Sequence, residues 1–319
     1  MNIFTIKKYT AIRFLGLLCS IAYGFFVAAS LQRLYLLGSG DINELVFFFD
    51  DFGTWAAFND FSIRGEGIFR YFIFALVAIF ELKTLTVLSY VAFTISSITF
   101  YIFTINIRSK KYLLYLLPLF LMVFFTPIVA NLYASSIRSG IAFTILLIAF
   151  IYPNVAIRSI LFGLSALIHL SMVPLISLYF LFHMFRHKRI NVSSHSLYIL
   201  LILYSFFIAI AAYLYQFNTT AVHSSIYYKL LIFFLALLLL FTSKKAIKNI
   251  YGFMSIGIIL IVVAGNILDV SFSRYTGNAM ILYLFFLIKE ANPDIIKVFS
   301  LGFAPFFALT LYYSIANLL

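Results

Sequence analysis

The sequence predicts an all-α, polytopic membrane protein, and three observations point to this fold class. Of the 319 residues, 64% are hydrophobic and only 10% are charged, whereas a soluble domain is about half apolar. Apolar stretches recur from Ile12 to the C-terminus, several of them near the length of about 20 residues that crosses a bilayer as a helix. Basic residues gather in short clusters between those stretches. We therefore expect one transmembrane domain over residues 1–319.

The net charge of +12 follows the pattern of cytoplasmic loops and not that of a nucleic-acid-binding surface. Cytoplasmic loops of membrane proteins are enriched in Lys and Arg, so we place the N-terminus and the basic clusters inside the cell. No nucleic acid partner is expected. The single cysteine, Cys19, excludes an intramolecular disulfide. The main clusters are Lys7, Lys8 and Arg13; Arg108, Lys110 and Lys111; Arg186, Lys188 and Arg189; and Lys244, Lys245 and Lys248.

The first third of the chain is predicted to contain one span, an outer loop and a short apolar helix. Ile12–Leu37 is long enough to cross, which brings the loop of residues 38–67 to the outer side. That loop holds six of the ten acidic residues and the only tryptophan, Trp55. Ile68–Phe80 has about 13 residues, too few to cross comfortably. We predict a re-entrant or interfacial helix there, on the outer side.

The rest of the chain alternates between apolar stretches and basic turns, which brings the predicted total to about 11 transmembrane helices. Ser159–Phe185 is too long for one span, and a single tilted helix would leave the basic cluster that follows it outside. We expect a short helical hairpin over residues 159–185 that breaks at His169–Ser171 and closes at Pro174. The other predicted spans are Thr86–Ile107, Tyr112–Ala130, Tyr133–Tyr152, Leu197–Tyr215, Lys229–Phe241, Ile250–Leu268, Tyr275–Ile288 and Val298–Tyr313.

Two arginines, Arg138 and Arg274, stand near the heads of apolar spans that run inward from the outer side. With a helix beginning at Tyr133, Arg138 lies about 8 Å inside the helix end, at about 1.5 Å per residue. Its side chain either snorkels to the lipid headgroups or forms an anion site, because a guanidinium stays charged and contacts phosphate oxygens at two points. Two such arginines entering from one face suit a diphosphate.

Other polar positions are candidates for catalysis or binding. His169 interrupts an apolar stretch beside Ser171, and an imidazole can accept a proton or donate a hydrogen bond near neutral pH. A buried structural histidine is the alternative reading. Glu66 lies between two glycines that let a ligand approach the backbone, although an ordinary surface carboxylate is equally consistent. Asp50 and Asp51 are adjacent carboxylates, a common arrangement, and we expect no metal site.

Three segments resemble the signature of Wzy-type polysaccharide polymerases, in the EpsG-like branch. In SSIRSGIAFTILLIAFIYPNVAIRSILFGLSALIHLSMVP, an arginine, a small residue and an alanine open a span, a basic turn follows, and a second span ends in His, a spacer and Ser. RGEGIFRYFIF resembles the family's acidic residue before an apolar half-span, and SRYTGNAMILYLF resembles its arginine-headed late span. The family's Asp–Tyr pairing is incomplete, because Asp41 lacks a clear tyrosine partner. The matching positions are Arg138, Gly140, Ala142, Arg158, Ala166, His169 and Ser171, with Glu66 upstream and Arg274 downstream.

The resemblance implies a glycosyltransferase at the periplasmic face of a bacterial inner membrane, with a bundle related to the membrane-embedded GT-C class. Its substrates are oligosaccharide repeat units on undecaprenyl diphosphate, polymerised into O-antigen, capsule or exopolysaccharide. No cofactor is expected, and a chain-length regulator is a candidate partner. The implied site residues are Arg138 and Arg274 for the diphosphate, His169 and Glu66 for catalysis, and Ser171, Arg70 and Asp41 as secondary binding positions.

Three alternatives stay open at the level of sequence. A transporter (flippase) of the lipid-linked oligosaccharide predicts paired broken helices, and the sequence indicates one break, near His169. An O-antigen ligase uses the same donor, but the short outer loops favour a polymerase. A membrane acyltransferase is suggested by the spacing of Arg158 and His169, which the predicted topology places at opposite faces of the membrane.

Overall fold

The computed structural model describes residues 3–38, 42–43, 45–46, 50, 67–106, 119–187, 193–214, 246–268, 270, 272, 274–290, 296, 301, 303–304 and 307–308. All regular secondary structure in these residues is helical, which confirms the all-α class. The chain divides into two compact units. The first comprises Met1–Arg108 and Ala130–Val173, and the second comprises Ser109–Val129 and Pro174–Leu319.

Several helices in the described part of the chain are suited to a membrane. Four are long and apolar enough to cross it, and a sharply bent pair of helices makes five if it counts as one span. The membrane class is therefore confirmed, while the total of about 11 spans stays a prediction. Predicted spans at Tyr112–Ala130, Lys229–Phe241 and Val298–Tyr313 lie wholly or partly outside the described residues. The four candidate spans are Arg13–Leu36, Thr84–Asn106, Ser194–Leu214 and Ile250–Ile267.

In the first unit, α1 (Ile3–Leu36) packs against α3 (Thr84–Asn106). Gly24 faces Ser97, and the Gln32 amide donates to the Ser89 hydroxyl at 3.5 Å, so the two helices are antiparallel. A side chain at Gly24 would collide with Ser97. Small residues at such a contact let membrane helices approach closely. The intervening helix α2 (Gly67–Phe80) has 14 residues, in agreement with the short apolar helix that the sequence predicts.

The prediction of one continuous helix beginning at Tyr133 is wrong. Instead, α4 (Pro127–Ala134) and α5 (Ile137–Ile151) meet at a bend of 101°. The backbone N–H groups of Ser135 and Ser136 both donate to the Asn131 carbonyl at 3.0 Å, and the Ser135 hydroxyl also donates to it at 3.0 Å. Serine side chains offer the backbone such local alternatives to a continuing helix. We call residues 135–136 the elbow.

Two contacts show that α3 and α5 run parallel. The Thr99 and Thr144 hydroxyls lie 2.9 Å apart, 45 residues apart in sequence. A Cβ placed on Gly140 would lie 3.2 Å from Ile95 Cδ1, a pair with the same sequence offset. The residue numbers in the two pairs increase in the same direction along both helices. Each residue of α5 therefore lies level with the residue of α3 that is 45 positions earlier in the sequence.

Next in the chain, α6 (Val155–Ile168) returns along α5 after a turn of residues 152–154. It begins earlier than Ser159, where the sequence placed it, because the Asn154 side chain caps it. This side chain accepts hydrogen bonds from the amides of Ala156 at 2.9 Å and Ile157 at 3.3 Å. Arg158 Nε and Nη2 donate to the Tyr152 carbonyl at 3.1 and 2.6 Å. Arg158 therefore closes the turn between α5 and α6.

The second unit contains most of α7 (Val173–His187), with α8 (Ser194–Leu214), α9 (Ile250–Ile267) and α10 (Arg274–Glu290). Helix α9 packs against both α8 and α10, and the Ser255 hydroxyl donates to the Ala279 carbonyl at 2.8 Å. Every residue from Tyr275 to Ile288 is buried. A helix that is covered on all faces lies in the interior of its unit.

Candidate functional site

Arg138 occupies the first turn of α5, and not a position one turn inside a longer helix as the sequence predicted. Its side chain is half-buried. The guanidinium carbon lies 6.0 Å from the centroid of the Phe69 ring in α2, at the limit of the range for cation–π attraction. The bend at the elbow therefore brings the start of α5 to the start of α2.

The register between α3 and α5 gives the depth of Arg138 in the membrane. The parallel register of α3 and α5 places Arg138 level with Phe93. That level is nine residues, or about 14 Å, from the start of α3 at Thr84. Because α3 is long enough to span a bilayer, Arg138 lies well inside the thickness that α3 crosses. A guanidinium at such depth is costly in contact with lipid and usually faces a cavity or an anion.

His169 lies opposite Arg138. The Ser165 hydroxyl in α6 donates to the Ala142 carbonyl in α5 at 2.7 Å, and both residues are buried. A connection as short as residues 152–154 joins antiparallel helices. Starting from the Ser165–Ala142 contact, one turn back along α5 leads to Arg138, and one turn forward along α6 leads to His169 at the same end of the pair. Packed helix axes are about 8–10 Å apart. Long side chains at these two positions are therefore close enough to bind one ligand.

The hydrogen bonds of His169 determine its tautomer. Nδ1 accepts the Ser171 backbone N–H at 3.2 Å and lies 2.5 Å from the Ser171 hydroxyl oxygen. Because an amide N–H can only donate, Nδ1 carries a lone pair, and the hydrogen of the neutral ring is on Nε2. In this arrangement His169 is a hydrogen-bond donor at Nε2, and it is not poised to remove a proton there.

The helix break that the sequence predicts at His169 is confirmed. Helix α6 ends at Ile168 and is followed by a 3-10 turn, Leu170–Met172. The elbow is a second break, which the sequence did not reveal, and the α5–α6 register places both breaks at one level. Interrupted helices are tolerated at membrane depth where they are enclosed by protein or line a cavity. The proposed hairpin of α6 and α7 stays a prediction, because these helices lie mostly in different units.

Helix α2 adds a second arginine at this level. It joins α3 through residues 81–83, so the two are antiparallel neighbours, and its first turn lies beside Arg138. Arg70 belongs to that turn and is half-buried. A cavity of about 420 Å³ between α2, α3 and α5 begins near the same place. Its walls are apolar and include Phe72, Leu76, Phe80, Tyr90, Ile95 and Ile141.

The positions of Arg70 and Arg138 concentrate positive charge. Both are in the first turn of a helix, whose N-terminal end carries a partial positive charge of its own. The Ser136 side chain makes no capping hydrogen bond to α5. A cation at a helix N-terminus costs about 0.3–1 kcal/mol near the surface. An anionic group near these two arginines, from the protein or from a ligand, offsets this cost.

The other predicted site residues are only partly described. Arg274 begins α10 in the second unit, but its side chain, Glu66 and Asp41 lie outside the described residues. Asp50 accepts a hydrogen bond from the Thr84 hydroxyl at 2.6 Å, which ties this residue to the start of α3. Within the described residues, no group of three or more His, Cys, Asp or Glu side chains is placed to hold a metal ion.

Two residues that support the site were not singled out from the sequence. Ser165 makes the hydrogen bond that sets the α5–α6 register, and a serine in an apolar stretch gives no sign of its partner. Gly140 was noted only as a small residue. Its α-carbon packs against α4, where a Cβ would lie 2.8 Å from the Leu132 carbonyl oxygen and 2.9 Å from the Tyr133 ring.

Comparison with known proteins gives no family assignment. No protein-family model matches the chain, and neither a curated protein nor a solved structure shows a significant match.

Proposed function

We propose that the protein is a glycosyltransferase that polymerises undecaprenyl-diphosphate-linked oligosaccharide repeat units at the outer face of a bacterial inner membrane. The observation that carries the proposal is the register of α5 and α6, which sets Arg138 opposite His169 about 14 Å from the start of α3. Three residues of the signature, Arg138, His169 and Ser171, therefore lie at the same end of the α5–α6 pair in the first unit.

The reaction requires an acceptor hydroxyl oxygen to attack the anomeric carbon of the donor glycan. The bond between that carbon and the diphosphate oxygen breaks, and the leaving diphosphate takes the bonding electrons. Arg138 stabilises this developing charge in a setting of low dielectric. The acceptor's proton passes to a base, and Glu66 is the candidate, since the His169 Nε2 already carries a hydrogen. His169 donates its hydrogen bond to a substrate oxygen.

The proposal extends to the architecture. It treats the chain as a GT-C-related bundle of about 11 spans with a cytoplasmic N-terminus. Helix α2 is then the ascending half of a re-entrant element, because its first turn lies at the depth of Arg138 and its last turn joins the start of α3 at residues 81–83. Glu66 immediately precedes α2 in the sequence.

Deletion and complementation test the proposal. Deletion of a polymerase gene leaves lipopolysaccharide core capped with a single repeat unit, visible on a gel. Wild type restores long chains, whereas Arg138→Ala is expected to leave the single-unit band while the protein still inserts. The resemblance predicts the same loss for Arg274→Ala. Chain lengths equal to wild type in the Arg138 variant would contradict an anion site at this position.

A lipid-linked oligosaccharide transporter is the second candidate, and the paired breaks favour it. The elbow and the His169 break lie at one level of the first unit, and discontinuous helices line the substrate sites of many transporters. The deletion phenotype separates the two functions. Loss of a transporter leaves bare core, because no repeat unit reaches the outer face, and loss of a ligase also leaves bare core.

A further inference from the structure

We infer that Ser171 is a positioning residue, whose hydroxyl and backbone N–H together hold His169 as a neutral hydrogen-bond donor at Nε2. This inference rests on the proposed function and deepens it. It takes Ser171 out of the substrate-binding set, where the resemblance places it, and makes it act through His169.

Hydrogen bonds hold the backbone of His169 on both sides. Its N–H donates to the Ser165 carbonyl at 3.1 Å, and its carbonyl accepts the Met172 N–H at 3.0 Å. The Ser165 hydroxyl in turn donates to the Ala142 carbonyl in α5 at 2.7 Å. The backbone of His169 is therefore fixed relative to α5, and the orientation and protonation of its ring depend on the contacts of the ring itself.

Ser171 supplies two such contacts, both to Nδ1. The ring nitrogen lies 3.2 Å from the Ser171 backbone nitrogen and 2.5 Å from its hydroxyl oxygen. A hydrogen on Nδ1 would meet the amide hydrogen and break the first bond, so Nδ1 carries its lone pair. The hydrogen between Nδ1 and the hydroxyl oxygen is then that of the hydroxyl. Ser171 commits this hydrogen to His169 and cannot donate it to a substrate.

A capping role alone does not account for a histidine at this position. The side chains that usually begin a helix are those of Ser, Thr, Asp and Asn, because an oxygen acceptor is sufficient for a cap. His169 offers the same kind of acceptor at Nδ1 and, in addition, an N–H group at Nε2. In the proposed reaction, a donor of this kind stabilises an oxygen on which negative charge develops. The contacts from Ser171 keep the hydrogen on the nitrogen that can make this bond.

Nitrogen NMR of the full-length protein in nanodiscs tests this inference without glycosyl transfer. The protein is labelled with isotope-enriched histidine, and comparison with His169→Asn identifies the signals of His169 among those of the five histidines. At about pH 8, where an ordinary imidazole is neutral, wild type is expected to show the Nε2–H tautomer. Ser171→Ala keeps the amide donor and loses the hydroxyl, so the ratio of Nε2–H to Nδ1–H tautomer should fall by about two- to tenfold, the scale of one hydrogen bond. Ser171→Thr keeps a hydroxyl and should restore the ratio.

Polymer made by complemented deletion strains is the second measurement. Ser171→Ala is expected to shorten the polymer, and Ser171→Thr is expected to recover it. Ser177→Ala is the matched control, because it removes a serine hydroxyl in α7 that donates to the Pro174 carbonyl at 2.9 Å. This control should leave both the tautomer of His169 and the polymer unchanged.

The two measurements together separate the possible outcomes. Polymer loss in Ser171→Ala with an unchanged tautomer ratio would return Ser171 to the substrate-binding set and overturn the inference, as would an Nδ1–H tautomer in wild type. A lower ratio with polymer of wild-type length also refutes the positioning role, while it leaves the proposed function intact. If deletion of the gene leaves chain length unchanged, the polymerase is rejected, and the tautomer ratios alone support or overturn the control of His169 by Ser171.

Discussion

Replacement of Ser165 by alanine is expected to lower the stability of the protein only slightly and to reduce glycosyl transfer much more. The Ser165 hydroxyl donates to the Ala142 carbonyl at 2.7 Å in a fully buried contact. This bond lies one helical turn from Arg138 and one turn from His169. Its loss frees the two helices to slide or rotate against each other while their apolar contacts remain.

The expected loss of stability is small. The Ala142 carbonyl keeps its bond within α5, so no buried acceptor is left unsatisfied, and the net value of such a bond is about 0.5–1.5 kcal/mol. Hydrogen bonds between membrane helices average about 0.6 kcal/mol. The effect on transfer is expected to be larger, because a displacement of about 1 Å in a catalytic site costs about 100-fold in rate.

Two measurements check this reasoning. Thermal unfolding of the purified variant gives the loss of stability, and the polymer made by a complemented deletion strain gives the activity. Ser165→Thr keeps a hydroxyl donor and should recover part of the polymer. Ser255→Ala removes a comparable interhelical bond, 2.8 Å to the Ala279 carbonyl in the second unit, and should cost similar stability with little loss of polymer. Equal polymer loss in the Ser165→Ala and Ser255→Ala strains would show that the α5–α6 register has no special role.

Three other substitutions have distinct expected outcomes. Gly140→Ala places a Cβ 2.8 Å from a backbone oxygen of α4 and should destabilise the protein by about 1–3 kcal/mol, measured by thermal unfolding; an unchanged midpoint contradicts the close packing. Arg158→Ala removes hydrogen bonds at an exposed turn, so polymer length on a gel should be unchanged, and complete loss of polymer argues for a direct role. His169→Asn keeps a side-chain acceptor that suits a helix cap but lacks the Nε2 hydrogen. The variant should fold with nearly normal stability and make no long polymer. Normal polymer would show that His169 acts only as a helix cap.

The sequence predicted the positions of several helices accurately because local patterns determine them. The helices Ser194–Leu214 and Ile250–Ile267 begin and end within about three residues of the spans predicted from apolar length. The break at His169 was also predictable, since a polar residue, a serine and Pro174 occur together in an apolar stretch too long for one helix. Hydrophobic length and helix-breaking residues act within a few residues of chain, so they need no knowledge of tertiary contacts.

Tertiary structure alone decided how the candidate site is assembled. The elbow depends on the hydrogen bonds of Ser135 and Ser136 to the Asn131 carbonyl and on the packing of Gly140 against α4. From the sequence alone, the same residues are equally compatible with one continuous helix. The depth of Arg138 and its place opposite His169 depend on two hydrogen bonds between helices, one between the Thr99 and Thr144 hydroxyls and one from the Ser165 hydroxyl to the Ala142 carbonyl. The sequence is enough to show that a charged residue lies in an apolar stretch, where it is costly in contact with lipid. Only the packing register of the helices determines which other groups lie at the same depth.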